Sequence, residues 1–129
     1  MSAQGDEAVD ENLGKVTIAP NVLVTIVQKT AGSVPGVAHL SDRVPGVKRL
    51  LGLHTVGHGV EVEVVEDQVN VEVYLTARRN VDLLQMGRQV QREVTRAIEH
   101  IVGMQVGAVN VHIEEIAVEP ASGEGLERG

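Results

Sequence analysis

A strictly alternating stretch, residues 59–77, constrains the fold of this chain most. Valines at 60, 62 and 64 alternate with glutamates at 61 and 63, and a second run from Val69 to Leu75 repeats the alternation. Successive side chains of a strand point to opposite faces, so this pattern predicts two half-buried strands. The polar residues Glu66, Asp67 and Gln68 lie between them and predict the turn of a hairpin. One face of that hairpin is aliphatic and needs a cover, because an isolated hairpin is marginal in water.

Two amphipathic helices are predicted to supply that cover. Pro20 suits the first turn of a helix that ends at Gly32. A second helix begins after Asn80, an expected N-cap, and ends at Gly103. Its apolar stripe comprises Leu83, Met86, Val90, Val94, Ala97, Ile98 and Ile101. Strands are also predicted at residues 14–19 and 109–114.

The predicted order is therefore β-α-β-β-α-β in a single α+β domain. Each strand has one apolar face, so both helices should lie on the same side of a small mixed sheet. The domain is predicted to span residues 14–116, with a long connection at residues 38–58. Loops of that length are often functional or disordered.

Charge and composition narrow the class of function. The formal charge is −7, of which residues 1–12 carry −4 and residues 117–129 carry −2, leaving −1 for the remainder. The segments 1–13 and 117–129 are therefore predicted to be disordered tails, the first of them acidic. The nearly neutral domain does not favour nucleic acid. The absence of cysteine excludes disulfides and thiolate chemistry, and the sequence shows no signal peptide or membrane-spanning stretch.

Three clusters of polar residues are candidates for function. Arg88, Arg92 and Arg96 recur every fourth residue, so they form one ridge on the second helix, preceded by Arg78 and Arg79. These five arginines either bind an acidic protein segment or another anion, or simply form a solvated face. The glutamates 61, 63, 72 and 114 and His112 are expected to share the exposed face of the sheet. They indicate either acid–base chemistry or a solubilising surface that discourages edge pairing.

The third cluster is a set of histidines in the long connection, His39, His54 and His58. Zinc would need three or four ligands held in place, so surface histidines are the alternative. No nucleophile elbow, P-loop or G-x-x-G clamp is present. A single tyrosine is too little for the stacking that single-stranded RNA modules use. No catalytic residue, cofactor or metal is predicted.

Four segments, in order, resemble one bacterial family. They are residues 16–22, residues 31–37, the hairpin at residues 59–75, and residues 102–113 with the sequence VGMQVGAVNVHI. Together they resemble the alkaline shock protein (Asp/Gls-type) envelope stress response family over residues 14–116. Where that family usually carries Tyr-Gly after the hairpin, this chain has Arg78-Arg79.

The resemblance implies a cytoplasmic, non-enzymatic protein that binds other proteins. It implies self-association and, in some cases, attachment to the membrane through a membrane-anchored partner. It transfers no catalytic residue. A nucleic-acid-binding domain and a metal-binding protein that uses the histidines of the long connection remain the alternatives.

Overall fold

In the computed structural model, the described residues are 13–42 and 54–118, with only the backbone described for residues 54–57. The predicted hairpin consists of strands β3, Val60–Val65, and β4, Gln68–Ala77. Their antiparallel register runs from Val60 opposite Val73 to Val65 opposite Gln68. Glu66 and Asp67 form a two-residue turn with φ of 47° and 73°. Positive φ at both positions is the type I′ geometry, which matches the twist of the flanking strands.

The turn sequence is not the one that this geometry prefers, which gives a first prediction. Replacing Glu66 by Asn and Asp67 by Gly together should raise the free energy of unfolding by about 0.5–1 kcal/mol. The gain arises because a left-handed backbone costs a β-carbon-bearing residue more than it costs Asn or Gly. Urea unfolding measures it. A fall in stability would contradict the type I′ turn, because only the entropic cost of the new glycine would then remain.

Three more strands complete a mixed five-stranded sheet. They are β1, Val37–Leu40, β2, His54–Gly57, and β5, Gln105–Ile116. One side of β4 pairs antiparallel with β3 along its first half and with β1 at its end, and β2 pairs with β3. β5 pairs in parallel along the other side of β4. In the part of the chain that the structure describes, β1, β2 and β5 each pair with a single strand and therefore form the edges of the sheet.

Both helices lie on one face of this sheet, as the alternating pattern predicts. Helix α1, Pro20–Gly32, packs over β1, β2 and β3, and helix α2, Leu83–Ala97, packs over β5 and against α1. One continuous core results, made of valine with some leucine, isoleucine, alanine and methionine. Close packing rather than aromatic bulk holds it together. The α+β class, the mixed sheet and the single helical face are confirmed.

Several details differ from the sequence-based expectations. Residues 14–19 form no strand. β1 and β2 lie at the two ends of the predicted connection 38–58, and residues 43–53 between them lie outside the described residues. The N-cap of α2 is Asp82 rather than Asn80, and its Oδ1 accepts a hydrogen bond from Gln85 N at 3.1 Å. The predicted tails lie almost entirely outside the described residues, so their disorder stays a prediction.

A π-helical turn, Ile98–Val102, ends the second helix and changes which residues face the core. Gly103, with φ of 84°, donates its N–H to Ile98 O at 2.9 Å and closes this wide turn. The extra residue per turn delays the helical phase, so Val102 packs against the core. Ile101, predicted to belong to the apolar stripe, is 70% exposed instead. A strictly α-helical extrapolation past Ile98 is therefore wrong.

Candidate functional site

The outer face of α2 carries the predicted arginine ridge. Arg88, Arg92 and Arg96 are all exposed. They line one shallow depression of about 550 Å³ with Gln91, Thr95, Glu99 and His100. They lie on the side of the helix opposite the buried residues Met86, Val90 and Val94. The helical spacing alone predicts this arrangement.

Hydrogen bonds along the helix hold two of these arginines in place. Arg92 Nη2 donates to Gln89 Oε1 at 2.7 Å, and Gln89 Nε2 in turn donates to Glu93 Oε2 at 2.9 Å. Arg96 Nη1 reaches the same Glu93 oxygen at 3.5 Å. Glu93 thus contacts Arg96 directly and fixes the side chain of Gln89, which in turn holds Arg92. The sequence shows the Glu93–Arg96 pairing by its spacing, but not the part played by Gln89.

Arg88 differs from its two neighbours. Among the described residues it has no hydrogen-bond or ion-pair partner. An exposed guanidinium keeps all five of its N–H donors for a carboxylate or phosphate, which it can bind with two parallel hydrogen bonds. Arg88 is therefore the arginine of this ridge that is most available to an anionic ligand.

The structure does not gather all five predicted arginines into one depression. Arg78 and Arg79 are exposed in the segment between β4 and α2, and the backbone N–H of Arg78 donates to Gly36 O at 2.8 Å. Neither residue lines the depression of Arg88, Arg92 and Arg96. That the five act as one partner-binding surface stays a prediction.

The opposite face of the sheet carries a connected polar cluster centred on Glu72. Glu72 Oε1 lies 2.6 Å from His112 Nε2, and Asn110 Nδ2 donates to Glu72 Oε2 at 2.9 Å. The rings of Tyr74 and His112 are stacked, with centroids 4.5 Å apart and planes 12° apart. These contacts cross the parallel β4–β5 ladder, in which Glu72 is opposite Asn110 and Tyr74 is opposite His112. They fix side chains on this face and form cross-strand pairs that support the ladder.

One carboxylate on this face departs from the sequence-based expectation of a fully wet surface. Glu61 is opposite Glu72 across the β3–β4 ladder and is only 1% exposed. It sits in the middle of the sheet, with β2 on one side and β4 on the other. The strand pattern gives the face of a residue but not how far its neighbours cover it, so the sequence could not predict this burial.

The three histidines of the predicted connection are spread over separate elements. His39 is exposed on β1, and His58 is exposed in the turn after β2, where its carbonyl accepts from Gln28 Nε2 at 3.3 Å. His54 begins β2, and its side chain lies outside the described residues. Within the described residues, no group of three or more His, Cys, Asp or Glu side chains is placed to hold a metal ion.

Comparison with known proteins identifies the family. The sequence profile of the alkaline shock protein family, described as having a cell envelope-related function, matches residues 8–118. The chain belongs to the alkaline shock protein family. The resemblance seen in the sequence is thereby confirmed, and with it a function related to the cell envelope. No solved structure gives a significant match.

Relatives of this alkaline shock protein family member occur in Bacillus subtilis and Streptococcus pyogenes. The uncharacterized protein YqhY of Bacillus subtilis is 28% identical over 116 residues, which cover 89% of this chain and 86% of YqhY. The uncharacterized protein Spy1535 of Streptococcus pyogenes is 26% identical over 110 residues, 84% of each chain. YloU of Bacillus subtilis, also uncharacterized, is 18% identical over 108 residues, 81% of this chain and 90% of YloU. Neither the family description nor these names records an enzymatic activity.

None of the helices in residues 13–42 and 54–118 combines the length and the apolar character that crossing a bilayer requires.

Proposed function

We propose that this chain is a non-enzymatic protein-binding domain of the bacterial envelope stress response, and that the arginine ridge of α2 captures an acidic segment of a partner protein. The observation that carries the proposal is the shared depression lined by Arg88, Arg92 and Arg96 on the outer face of α2. The description of the alkaline shock protein family supplies the link to the cell envelope.

The chemistry of the ridge suits carboxylates on a protein. Arginine forms planar, bidentate hydrogen bonds with carboxylates, and its guanidinium is less strongly hydrated than an ammonium group. Arg88 brings an unengaged guanidinium, while Arg92 and Arg96 are already positioned by Gln89 and Glu93. Pre-positioned side chains lose less rotamer entropy when a ligand binds. Arginine is also enriched among the residues that dominate binding energy at protein interfaces.

Three finer elements of the proposal follow from the family resemblance. The domain acts in the cytoplasm, its partner is anchored in the membrane, and copies of the domain self-associate. A membrane-anchored partner accounts for an envelope-related function without requiring this chain to insert into the bilayer. Self-association would multiply the number of ridges that one assembly presents, and multivalent binding strengthens weak individual contacts through effective concentration.

A charge-reversal variant tests the ridge. Arg88→Glu, Arg92→Glu and Arg96→Glu together should abolish capture of the partner, because three attractive charges become repulsive. The measurement is a pull-down from cells that express the protein natively, followed by mass spectrometry. Circular dichroism and thermal unfolding should match the wild type, since all three side chains are exposed. Unchanged capture by the folded triple variant would eliminate the ridge as the binding surface.

Two further variants sharpen the result. Replacing the same three arginines by lysine keeps the charge but removes the bidentate geometry, so capture should weaken without disappearing. The pair Arg78→Glu and Arg79→Glu shows whether the surface extends into the segment before α2. Sequence-independent, steeply salt-dependent binding of oligonucleotides by the wild type, lost in the triple glutamate variant, would identify a nucleic-acid ligand instead.

A further inference from the structure

The segment before α1 has the composition of a strand but, in the part of the chain that the structure describes, pairs with no other strand. Residues 14–19, which we call the arm, have alternating apolar residues, yet the structure places them in no helix or strand. Val16 is 90% exposed, and Ile18 is exposed as well. Exposed aliphatic side chains in an extended, strand-like segment mark a site where another strand or surface can bind.

The same chain presents a long edge strand. β5 runs for 12 residues, and among the described residues it pairs only with β4. In a parallel ladder, alternate residues of the edge strand direct N–H and C=O away from their neighbour. Val109 is one of these, because its carbonyl accepts from Gln91 Nε2 at 3.0 Å. By the same alternation, Val111 and Ile113 also direct their backbone groups outward.

Gln91 limits where a further strand can pair. Its side chain donates a hydrogen bond to the outward-facing carbonyl of Val109, in the N-terminal half of β5, so an added strand cannot pair freely there. The remaining stretch, from Val111 to Ile116, contains neither proline nor lysine, two residues that protect sheet edges, but its register with β4 shifts between Ile113 and Glu115, so the regular alternation ends at Ile113. An incoming strand can therefore pair regularly around Val111 and Ile113, a stretch that the residues around Val16 and Ile18 of the arm are long enough to cover.

The side chains of the arm and this edge are complementary on both faces. Val111 and Ile113 are only partly buried and pack against the core below α2. Val16 and Ile18 have the same two-residue spacing, so an added arm strand would extend that apolar layer. Lys15 would then lie on the opposite face, the one that carries exposed Glu114. Opposite charges on neighbouring strands stabilise the pairing.

We infer that the arm of one copy adds to the sheet of a second copy as a strand beside β5. This inference rests on the self-association in the proposed function and names the surfaces that would form it. Within one chain, the arm enters α1, which lies over β1, β2 and β3, whereas β5 lies on the far side of β4 beneath α2. A second copy brings its own arm to this edge without having to cross the sheet. The exchange is the strand addition by which proteins extend exposed sheet edges.

Cross-linking tests the contact directly, because the chain has no cysteine of its own. Full-length Thr17→Cys and His112→Cys proteins are mixed and treated with a short thiol-reactive cross-linker. Thr17 and His112 would lie on the same face of neighbouring strands, so we expect a covalent heterodimer. Thr17→Cys mixed with Glu99→Cys, on the outer face beyond α2, should give none.

Sedimentation of arm variants measures how much the arm contributes to the affinity of self-association. Val16→Asp with Ile18→Asp should raise the dissociation constant of self-association about tenfold or more, because the apolar cover is lost and two carboxylates would have to be placed against the apolar layer of Val111 and Ile113. The control is Leu84→Asp, which changes another exposed aliphatic residue, on α2, and should leave association unchanged.

The outcomes separate this inference from the proposed self-association. If the arm variant self-associates as strongly as the wild-type protein, and Thr17→Cys and His112→Cys form no cross-link, the arm contact is overturned and self-association still stands. A wild-type protein that stays monomeric at high concentration would overturn both. Cross-linking of Thr17→Cys to His112→Cys only when both are in one chain would show that the arm closes its own sheet, which also overturns exchange between copies.

Discussion

Val94→Asp is expected to lower the free energy of unfolding by about 3–5 kcal/mol, enough to unfold much of a protein of ordinary stability. Val94 is 0% exposed, in the middle of α2 where the helix meets the core. A carboxylate there would lose its hydration, and the aliphatic surroundings offer no compensating charge. The variant should therefore unfold or neutralise the aspartate by binding a proton, and both outcomes cost stability at neutral pH.

Two variants make this result specific. Arg92→Ala, two residues away on the exposed side of the same helix, should change stability by less than about 0.5 kcal/mol. Val94→Ala keeps the site apolar and should lie between the two, because it removes two methyl groups and leaves a small cavity. Urea unfolding of the three proteins measures these differences. Equal stability of Val94→Asp and Arg92→Ala would show that the helix presents a different face to the sheet.

Gly59→Ala is expected to have the second large effect, a loss of about 3 kcal/mol in the free energy of unfolding. Gly59 has φ of 72°, and a Cβ at this position would lie 2.8 Å from Tyr74 O and 2.9 Å from both Leu40 Cβ and Ser41 N. Two of these three atoms belong to the backbone, so the clash cannot be relieved by rotating a side chain.

The expected loss of stability is large because the end of β1 and the start of β3 meet at Gly59. Tyr74 in β4 receives a hydrogen bond at its carbonyl from Ser41 N, just after β1, and donates its own N–H to Gly59 O, just before β3, both at 2.8 Å. Through these two hydrogen bonds, Tyr74 holds the end of β1 and the start of β3, which meet along the same side of β4. A side chain at Gly59 would push these segments apart and break one or both hydrogen bonds.

Gly103→Ala is the matched control for this glycine. Gly103 also has positive φ, 84°, but a Cβ there would meet nothing within 4 Å. It should therefore show only the conformational cost of a left-handed alanine, about 1 kcal/mol. The difference between the two variants, measured by thermal or urea unfolding, isolates the contribution of close packing. Equal losses at both positions would mean that the abutment of β1 and β3 does not constrain Gly59.

Much of the local structure follows from periodicity along the chain. The period of two at residues 60–75 and the stripe from Leu83 to Ile98 each fall on the predicted elements, because backbone geometry alone determines which side chains share a face. The arginine ridge was predictable for the same reason. The periodicity fails where the backbone departs from ideal geometry, at the π-helical turn that exposes Ile101.

Other features could not be obtained from local patterns. The arm has the alternation of a strand, but a strand exists only where another strand pairs with it, and none within residues 13–42 and 54–118 does so. β1 and β2 are four residues each, too short to give a periodic signal, and long-range pairing with β4 and β3 defines them. The burial of Glu61 and the hydrogen bond from Gln91 to Val109 likewise depend on neighbours that are distant in sequence.

The sequence alone was sufficient to establish the α+β class, one helical face over a valine-rich sheet, and the alignment of Arg88, Arg92 and Arg96. These features depend on the periodicity of side chains along helices and strands, which involves only residues close together in the sequence. Only the tertiary structure decided which strands pair, which glycine has no room for a side chain, and which strands form the edges of the described sheet. Those features depend on contacts between segments far apart in the chain, whose distances no local pattern records.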